Sequence, residues 1–132
     1  MTQQEFKEIL HKKETDTVEF KPWVNARNMK EIISLAVDEL IAFANSKGGT
    51  VYFGVEDNPV VVTGCDRNYD GQRIIEGIYD RTISPLFTEI SDFEYEGIAC
   101  YCNISQSRWK DIYNYRWQMS ETIGEKFKAS IS

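Results

Sequence analysis

Three carboxylates occur at positions where the sequence could build a metal site. Glu19 lies on the polar side of the alternating segment Thr17–Lys21, Glu14 precedes that segment, and Asp57 follows the β-prone run Thr50–Val55. If the two segments are neighbouring strands, the acids converge at one edge of a sheet. Clustered carboxylates repel one another unless a proton or a divalent cation holds them together, and Mg²⁺ or Mn²⁺ in such a site can activate water and stabilise a phosphoryl transition state. The spacing alone is more typical of three solvated surface acids.

The spacing constrains how Glu14 could join such a site. Side chains alternate between the two faces of a strand, so a five-residue step places Glu14 and Glu19 on opposite faces of a regular strand. A shared site therefore requires Glu14 to lie in a loop or a bulge. Lys21 follows Glu19 on the same face of the strand.

Aromatic and basic residues alternate near the C-terminus. Arg108, Lys110 and Arg116 are interleaved with the stripe Trp109, Ile112, Tyr113 and Trp117. Base stacking and phosphate contacts use this combination, and helical spacing of the large residues describes a packing surface equally well. We favour packing against this domain or a partner, with the basic residues available to nucleic acid.

The sequence lacks the motifs of other common catalytic and binding sites. The Gly48-Gly49 turn follows a predicted helix, whereas phosphate loops precede one, and no G-x-x-x-x-G-K-S/T or G-x-S-x-G motif occurs. The chain has three cysteines and one histidine without C-x-x-C or H-x-x-x-H spacing. We therefore expect Cys65, Cys100 and Cys102 to be small buried hydrophobic residues, not zinc ligands.

Periodicity and turn residues give the elements that must position these side chains. Helices are predicted where apolar residues recur every three or four positions, and strands where they alternate or run together between turn residues. The predicted order is a helix over 3–13, a strand over 17–21, a helix over 28–45, strands over 50–55 and 60–64, a helix over 70–83, strands over 87–95 and 98–104, and a helix over 107–128. Thr2 and Glu5 form the T-x-x-E pattern of a capping box at the first helix, and Pro85 is expected to end the third. Hairpin turns are expected at Asn58-Pro59 and Glu96-Gly97. This order predicts an α+β fold with a mixed, mainly antiparallel sheet flanked by helices, formed by residues 1–105 and followed by an aromatic-rich helical segment over 106–132.

Composition excludes nucleic-acid binding by bulk charge. The 132 residues carry a net charge of −6, with −1 in residues 1–50, −7 in residues 51–100 and +2 in residues 101–132. A protein that holds nucleic acid through overall charge is basic, so such a role would need a local basic surface, a partner chain or metal ions. No apolar run approaches the ~20 residues that span a bilayer, and the start lacks a signal-peptide pattern. We expect a soluble, cytoplasmic protein of one domain with no membrane partner.

Three motifs in order resemble those of the Schlafen-type AlbA-like domain. They are E-x-x-x-x-E-F-K over 14–21, A-F-A-N-x-x-G-G over 42–49, and G-V-x-D over 54–57, followed by Val62-Thr63-Gly64 and by Ile83-Ser84-Pro85. The resemblance covers about residues 12–105.

The resemblance implies a metal-dependent nuclease that cleaves structured RNA such as tRNA, with Mg²⁺ or Mn²⁺ held by Glu14, Glu19 and Asp57. Lys21 would contact the scissile phosphate. The same resemblance suggests a role in a bacterial toxin or in anti-phage defence. The alternatives are a non-catalytic nucleic-acid-binding or regulatory module on the same fold, and a subunit that binds a partner protein.

We expect RNA to be the partner in preference to DNA. The residues expected to line its path are Lys12, Lys13, Lys21, Arg27 and Arg116. One acidic lobe offers little groove for a folded RNA, so we also expect a homodimer or a larger complex. Trp109, Tyr113 and Trp117 are the expected interface, because aromatic residues are enriched in interface cores.

Overall fold

The computed structural model describes residues 1–23, 29–66, 69–83 and 86–107. Their elements, in chain order, are α1 (Gln3–Lys12), β1 (Val18–Lys21), α2 (Met29–Ala44), β2 (Gly49–Phe53), β3 (Val55–Glu56), β4 (Val61–Val62), α3 (Gly71–Arg81), β5 (Thr88–Tyr95) and β6 (Ile98–Ser105). The predicted C-terminal helix lies outside these residues, as do Arg27, Trp109, Tyr113, Arg116 and Trp117.

The main sheet has four strands in the order β1-β2-β6-β5. β1 and β2 are parallel, with Val18 opposite Thr50 and Lys21 opposite Phe53. The other two pairs in this sheet are antiparallel. A parallel pair needs a crossover connection, and α2 lies in the connection between β1 and β2. The α+β fold with a mixed, mainly antiparallel sheet is confirmed.

Helices cover both faces of the sheet. α2 and α3 pack on the face that carries Val51 and Phe53, and α1 packs on the opposite face, which carries Phe20 and Tyr52. The alternation predicted for β1 is confirmed, because Phe20 is buried and Val18 packs in the same cluster. The sheet thus lies between two cores, and polar residues can reach solvent only at its edges and ends.

The N-terminal helix is fixed by its cap and by one aromatic side chain. The Thr2 hydroxyl accepts a hydrogen bond from the Glu5 N–H at 3.1 Å, and the Thr2 N–H donates to the Glu5 carboxylate at 3.3 Å. This capping box was predicted from the T-x-x-E pattern. Phe6 is the only residue of α1 that is fully buried, and its ring meets those of Tyr52, Phe93 and Tyr95 at centroid distances of 4.7 to 5.5 Å.

Both predicted hairpins form, one of them differently from the prediction. β5 and β6 are joined at Glu96 and Gly97, both with positive φ, as the tightest hairpin turns require. The strand predicted over 50–55 is broken at Gly54, whose φ is 86°. The returning segment therefore pairs with β3 in a separate two-stranded sheet, while β2 pairs with β1 and β6.

The third helix ends earlier than predicted. We expected it to continue to Ile83, but α3 ends at Arg81. The Thr82 hydroxyl donates to the Ile78 carbonyl at 3.1 Å and accepts from the Leu86 N–H at 2.8 Å. This side chain thus contacts both the last turn of the helix and Leu86, and the helix ends before the proline that was expected to end it.

The cysteines agree with the hydrophobic interpretation. All three are free, Cys100 and Cys102 are buried, and Cys65 is partly buried. Burial raises the pKa of Cys65 to about 12 and that of Cys100 to about 11, so neither thiol is a ready nucleophile or metal ligand at neutral pH. Among the described helices, none has the length and apolarity needed to cross a membrane.

Gly49 tests how tightly α2 packs on β2. A Cβ atom at Gly49 would lie 2.6 Å from the Phe43 ring, and Phe43 is buried. We expect Gly49→Ala to lower the free energy of unfolding by about 1–3 kcal/mol, the usual cost of overpacking. Urea denaturation measures this change. At Gly97 a Cβ atom would meet nothing within 4 Å, so Gly97→Asn should cost less than Gly49→Ala; the reverse order would contradict this packing.

Candidate active site

Glu14 is brought beside β1 by a tight turn. The Thr15 N–H donates to the Val18 carbonyl at 3.0 Å, and the Val18 N–H donates back to the Thr15 carbonyl at 3.4 Å. The chain reverses between these residues, so Glu14 lies outside the strand, as a shared site requires. Its Oε1 atom accepts a hydrogen bond from the Phe20 N–H at 3.2 Å. This bond fixes the Glu14 carboxylate alongside the strand that carries Glu19.

Glu19 and Lys21 lie on the α2 side of β1, at the edge of the four-stranded sheet. Their register partners Val51 and Phe53 belong to the core under α2. The Lys21 Nζ atom lies 2.9 Å from Glu39 Oε1 and 3.7 Å from Glu19 Oε1. The side chains of Lys21, Glu19 and Glu39 are 20%, 24% and 28% exposed. They form a partly buried group that solvent still reaches.

Negative charge in this group is not fully compensated. Burial raises the pKa of Glu19, and the charge of Glu14, the charge of Glu39 and a hydrogen bond with Glu14 raise it further, against the opposing effect of Lys21. Burial alone would lower the pKa of Lys21, but the hydrogen bond to Glu39 and the three carboxylate charges outweigh it, and the net shift is upward. Three carboxylates against one ammonium leave a formal charge of −2. The site therefore favours a proton or a cation.

Asp57 does not lie with the other two predicted ligands. It is exposed in the turn between β3 and β4, beyond Gly54. The positive φ there changes the alternation, so that Val55 faces the α1 core while Phe53 faces α2. The charges that shift Glu19 belong to Glu14, Lys21 and Glu39. Across the described ranges, no three His, Cys, Asp or Glu side chains are close enough to hold a metal ion. The expected three-carboxylate cluster is thus reduced to Glu14 and Glu19.

Glu14 and Glu19, the two carboxylates that remain together, still suit one class of metal ion. Mg²⁺ is commonly bound through one or two carboxylates, with water and substrate phosphate as the other ligands. Glu14 and Glu19 offer such a pair, since their carboxyl groups are within hydrogen-bonding reach of each other and the ionised form of Glu19 is disfavoured. Burial and the charge of a neighbouring carboxylate both disfavour ionisation of a carboxyl group.

The predicted basic residues differ in position. Lys12 and Lys13 are exposed at the end of α1, and Lys12 lines an open groove of about 500 Å³ with Lys7, His11 and Val60. Lys21 is drawn into the carboxylate group, where Glu39 is its nearest partner. Of the predicted RNA-contacting residues that the structure describes, Lys21 is the one whose contacts place it in the candidate site.

Sequence reasoning missed Glu39. It lies on α2 next to Leu40, whose side chain is fully buried. The sequence predicts a core stripe of Ile33, Val37, Leu40, Ile41 and Ala44, flanked by Ile32, Ala36 and Phe43. Glu39 lies beside these flanking residues. A parallel β1–α2–β2 unit places that flank over β1. The sequence signal that could have identified Glu39 is therefore its position beside the stripe, once α2 is recognised as a crossover.

The raised pKa of Glu19 predicts how its charge affects stability. The Glu19 carboxyl group holds its proton more tightly in the folded chain than in the unfolded chain. Protonated Glu19 therefore contributes its full stabilisation below a pH near 4.5, its pKa in the unfolded chain, and this contribution is lost as the pH rises through its pKa in the folded chain. We expect Glu19→Gln to have a higher melting temperature than wild type at pH 7, and this difference to shrink towards pH 4. Thermal denaturation at the two pH values measures it.

Glu8→Gln is the control for this pH dependence, because Glu8 is exposed on α1. Its effect on the melting temperature should be small and should not follow the pattern expected for Glu19→Gln. A Glu19→Gln protein that is less stable than wild type at pH 7 would mean that the Lys21 contact outweighs burial and repulsion.

A solved structure shows that this arrangement of elements occurs elsewhere. The crystal structure of the DIP2311 protein from Corynebacterium diphtheriae is similar with a TM-score of 0.60 and 19% sequence identity, covering 79% of this chain and 22% of that one. The solution structure of the N-terminal domain of a protein from Nitrosomonas europaea related to the ATP-dependent DNA helicase RecG gives a TM-score of 0.49 and 16% identity, covering 80% of this chain and 70% of that domain. This chain thus spans about a fifth of the length of the first of these proteins.

Comparison of the sequence with protein families agrees with the motifs and the fold. The family model described as Schlafen, AlbA_2 matches residues 14–123, a region that begins at Glu14 and includes Glu19, Lys21, Glu39 and Asp57. The match covers most of the chain, and the chain belongs to the Schlafen AlbA_2 family.

Proposed function

We propose that this domain is a metal-dependent endoribonuclease whose site is formed by Glu14, Glu19 and Lys21. The observation that carries the proposal is the position of Glu14, held by the Phe20 N–H beside Glu19 at the exposed edge of the sheet, where burial and the Glu14 charge disfavour ionised Glu19. An arrangement that costs stability is expected to persist where function needs it. Family membership adds support, since the E-x-x-x-x-E-F-K motif supplies all three side chains.

Each side chain has a distinct part in the proposed reaction. A divalent cation, when bound, would supply an activated water and neutralise charge on the phosphate, and Glu14 and Glu19 would hold it. Glu14 is oriented for this by the Phe20 N–H. Lys21 lies beside Glu19 and offers an ammonium to a phosphate oxygen as negative charge develops there.

The proposed substrate is structured RNA such as tRNA, with DNA less favoured, in a toxin or defence system. An acidic single lobe gives limited affinity for a polyanion. We therefore also propose a homodimer or a larger complex, in which Lys12, Lys13, Lys21, Arg27 and Arg116 of adjacent lobes line the RNA path. The pairing surface proposed from the sequence, Trp109, Tyr113 and Trp117, stays a prediction.

One observation favours a second candidate, a non-catalytic nucleic-acid-binding or regulatory module. Asp57 lies apart from the carboxylate pair, and the Lys21 ammonium already forms a hydrogen bond with Glu39. A site that functions only in binding would need no third carboxylate and could retain this internal ion pair. Binding of RNA without cleavage would distinguish this module from the nuclease.

The first test removes the proposed metal ligands. Purified protein is incubated with tRNA and with duplex DNA, with and without Mg²⁺ or Mn²⁺. We expect cation-dependent RNA cleavage, and we expect Glu14→Gln and Glu19→Gln each to lower its rate by about 100-fold or more while the fold is kept, because each removes a charged ligand. Asp57→Asn should have a comparable effect only if Asp57 joins the pair when cation and RNA bind.

Glu8→Gln, a loss of the same charge on the exposed face of α1, should leave cleavage unchanged. A double variant Glu14→Gln/Glu19→Gln that cuts as well as wild type would exclude this site. Wild-type protein that binds RNA but cleaves it with neither cation would instead support the regulatory module.

The second test concerns oriented phosphate contact. Lys21→Ala should lower cleavage by about 10-fold or more relative to Lys7→Ala or Lys126→Ala, because Lys21 contacts Glu19 in the site and an oriented charge-assisted contact is stronger than a diffuse one. Cleavage rates of the three variants at one salt concentration provide the comparison. Equal losses in all three would indicate a general electrostatic contribution.

A further inference from the structure

Lys21 is held more closely by α2 than by its own strand. Its Nζ atom is 2.9 Å from Glu39 Oε1, which is hydrogen-bonding distance, and 3.7 Å from Glu19 Oε1, which is an ionic contact without a hydrogen bond. Glu39 lies 18 positions after Lys21 in the sequence and is outside the E-x-x-x-x-E-F-K motif. The contact therefore links the motif strand to the crossover helix.

A carboxylate at this place has an electrostatic cost. The charge of Glu39 adds to the repulsion that disfavours ionised Glu19, and it would also repel an approaching phosphate. Its hydrogen bond to Lys21 is the compensating interaction. Lysine has a flexible four-carbon stem, so without this bond the ammonium would sample many positions, including closer contact with Glu19.

We propose that Glu39 is a positioning residue: it holds the Lys21 ammonium on the α2 side of the site, so that the Glu14–Glu19 pair stays open to a cation and Lys21 meets the substrate phosphate from a fixed point. The inference rests on the proposed nuclease function. It assigns to Glu39 a role through Lys21 and no direct contact with RNA.

The two roles that Glu39 could have predict opposite changes in kcat/KM when the carboxylate is removed. A carboxylate that acts only through its charge repels RNA, so its removal should lower KM and leave kcat unchanged. A carboxylate that positions Lys21 should, when truncated, lower kcat with little change in KM, because a contact made in the transition state is lost. This separation does not depend on the size of either effect.

Three variants of the full chain separate these roles. We expect Glu39→Ala to lower kcat by about 10-fold, the loss of one oriented contact, and Glu39→Gln to retain most of the activity, because its amide oxygen still accepts from Lys21. Asp38→Ala is the matched control, since Asp38 is an exposed acid one position away on the same helix. It should leave kcat unchanged.

A double-mutant cycle on stability tests the contact independently of activity. Lys21→Met, Glu39→Ala and the double variant are compared by urea denaturation, and we expect the two substitutions to be non-additive. Additive effects would overturn the inference whether or not the protein is a nuclease. Coupling together with an unchanged kcat in Glu39→Ala would make the pair structural only, and would also overturn it.

An inactive wild type that binds no RNA would contradict the proposed function itself, and the role of Glu39 with it, even if the cycle shows coupling. Loss of kcat in both Glu39→Ala and Asp38→Ala would indicate a general effect of helix charge and would contradict positioning. Loss in Glu39→Ala alone, with recovery in Glu39→Gln, is the result that supports it.

Discussion

The parallel pairing of β1 with β2 is the constraint on which the rest of the structure depends. It places Glu19 opposite Val51 and Lys21 opposite Phe53, and it requires a crossover, in which α2 lies. Because the same face of β2 is buried under α2, the polar side of β1 lies at the border between that core and solvent. Glu19 and Lys21 are half-buried for this reason, and Glu39 of α2 comes within reach of Lys21.

This border position gives the site its electrostatic character. Full exposure would screen the carboxylates and leave them independent, and full burial would neutralise them. At intermediate burial, Glu19 keeps contact with solvent and still responds to Glu14, Lys21 and Glu39. The Phe20 N–H holds Glu14 in place in spite of the repulsion, so a backbone donor of the edge strand stabilises the carboxylate whose charge opposes that of Glu19.

The sequence correctly predicted those features of the fold that depend only on residues close together in the chain. The capping box of Thr2 and Glu5, the turn at Glu96 and Gly97, and the alternation of β1 depend on neighbours within a few residues, and all three were predicted. The position of Asp57 could not be predicted in this way, because a single positive φ at Gly54 changes which face the following residues occupy, and periodicity assumes a regular strand. Glu39 was missed for a different reason, since its partner lies on another element and the pairing depends on the crossover.

The net charge of −6 overstates the repulsion that an RNA would meet at this site. Part of the acidic middle segment forms β5, where Glu89, Asp92 and Glu94 are exposed, and the strand order β1-β2-β6-β5 puts β5 at the edge opposite β1. Three strand spacings separate the two edges, about 14 Å, which exceeds the Debye length of about 8 Å at physiological salt. Charges on β5 therefore have little effect on a phosphate beside Lys21, and on an edge strand they discourage pairing with another chain. The carboxylates whose charges act on Lys21 are Glu39, Glu19 and Glu14, and a divalent cation, if bound as proposed, would together with Lys21 balance their formal charge of −3.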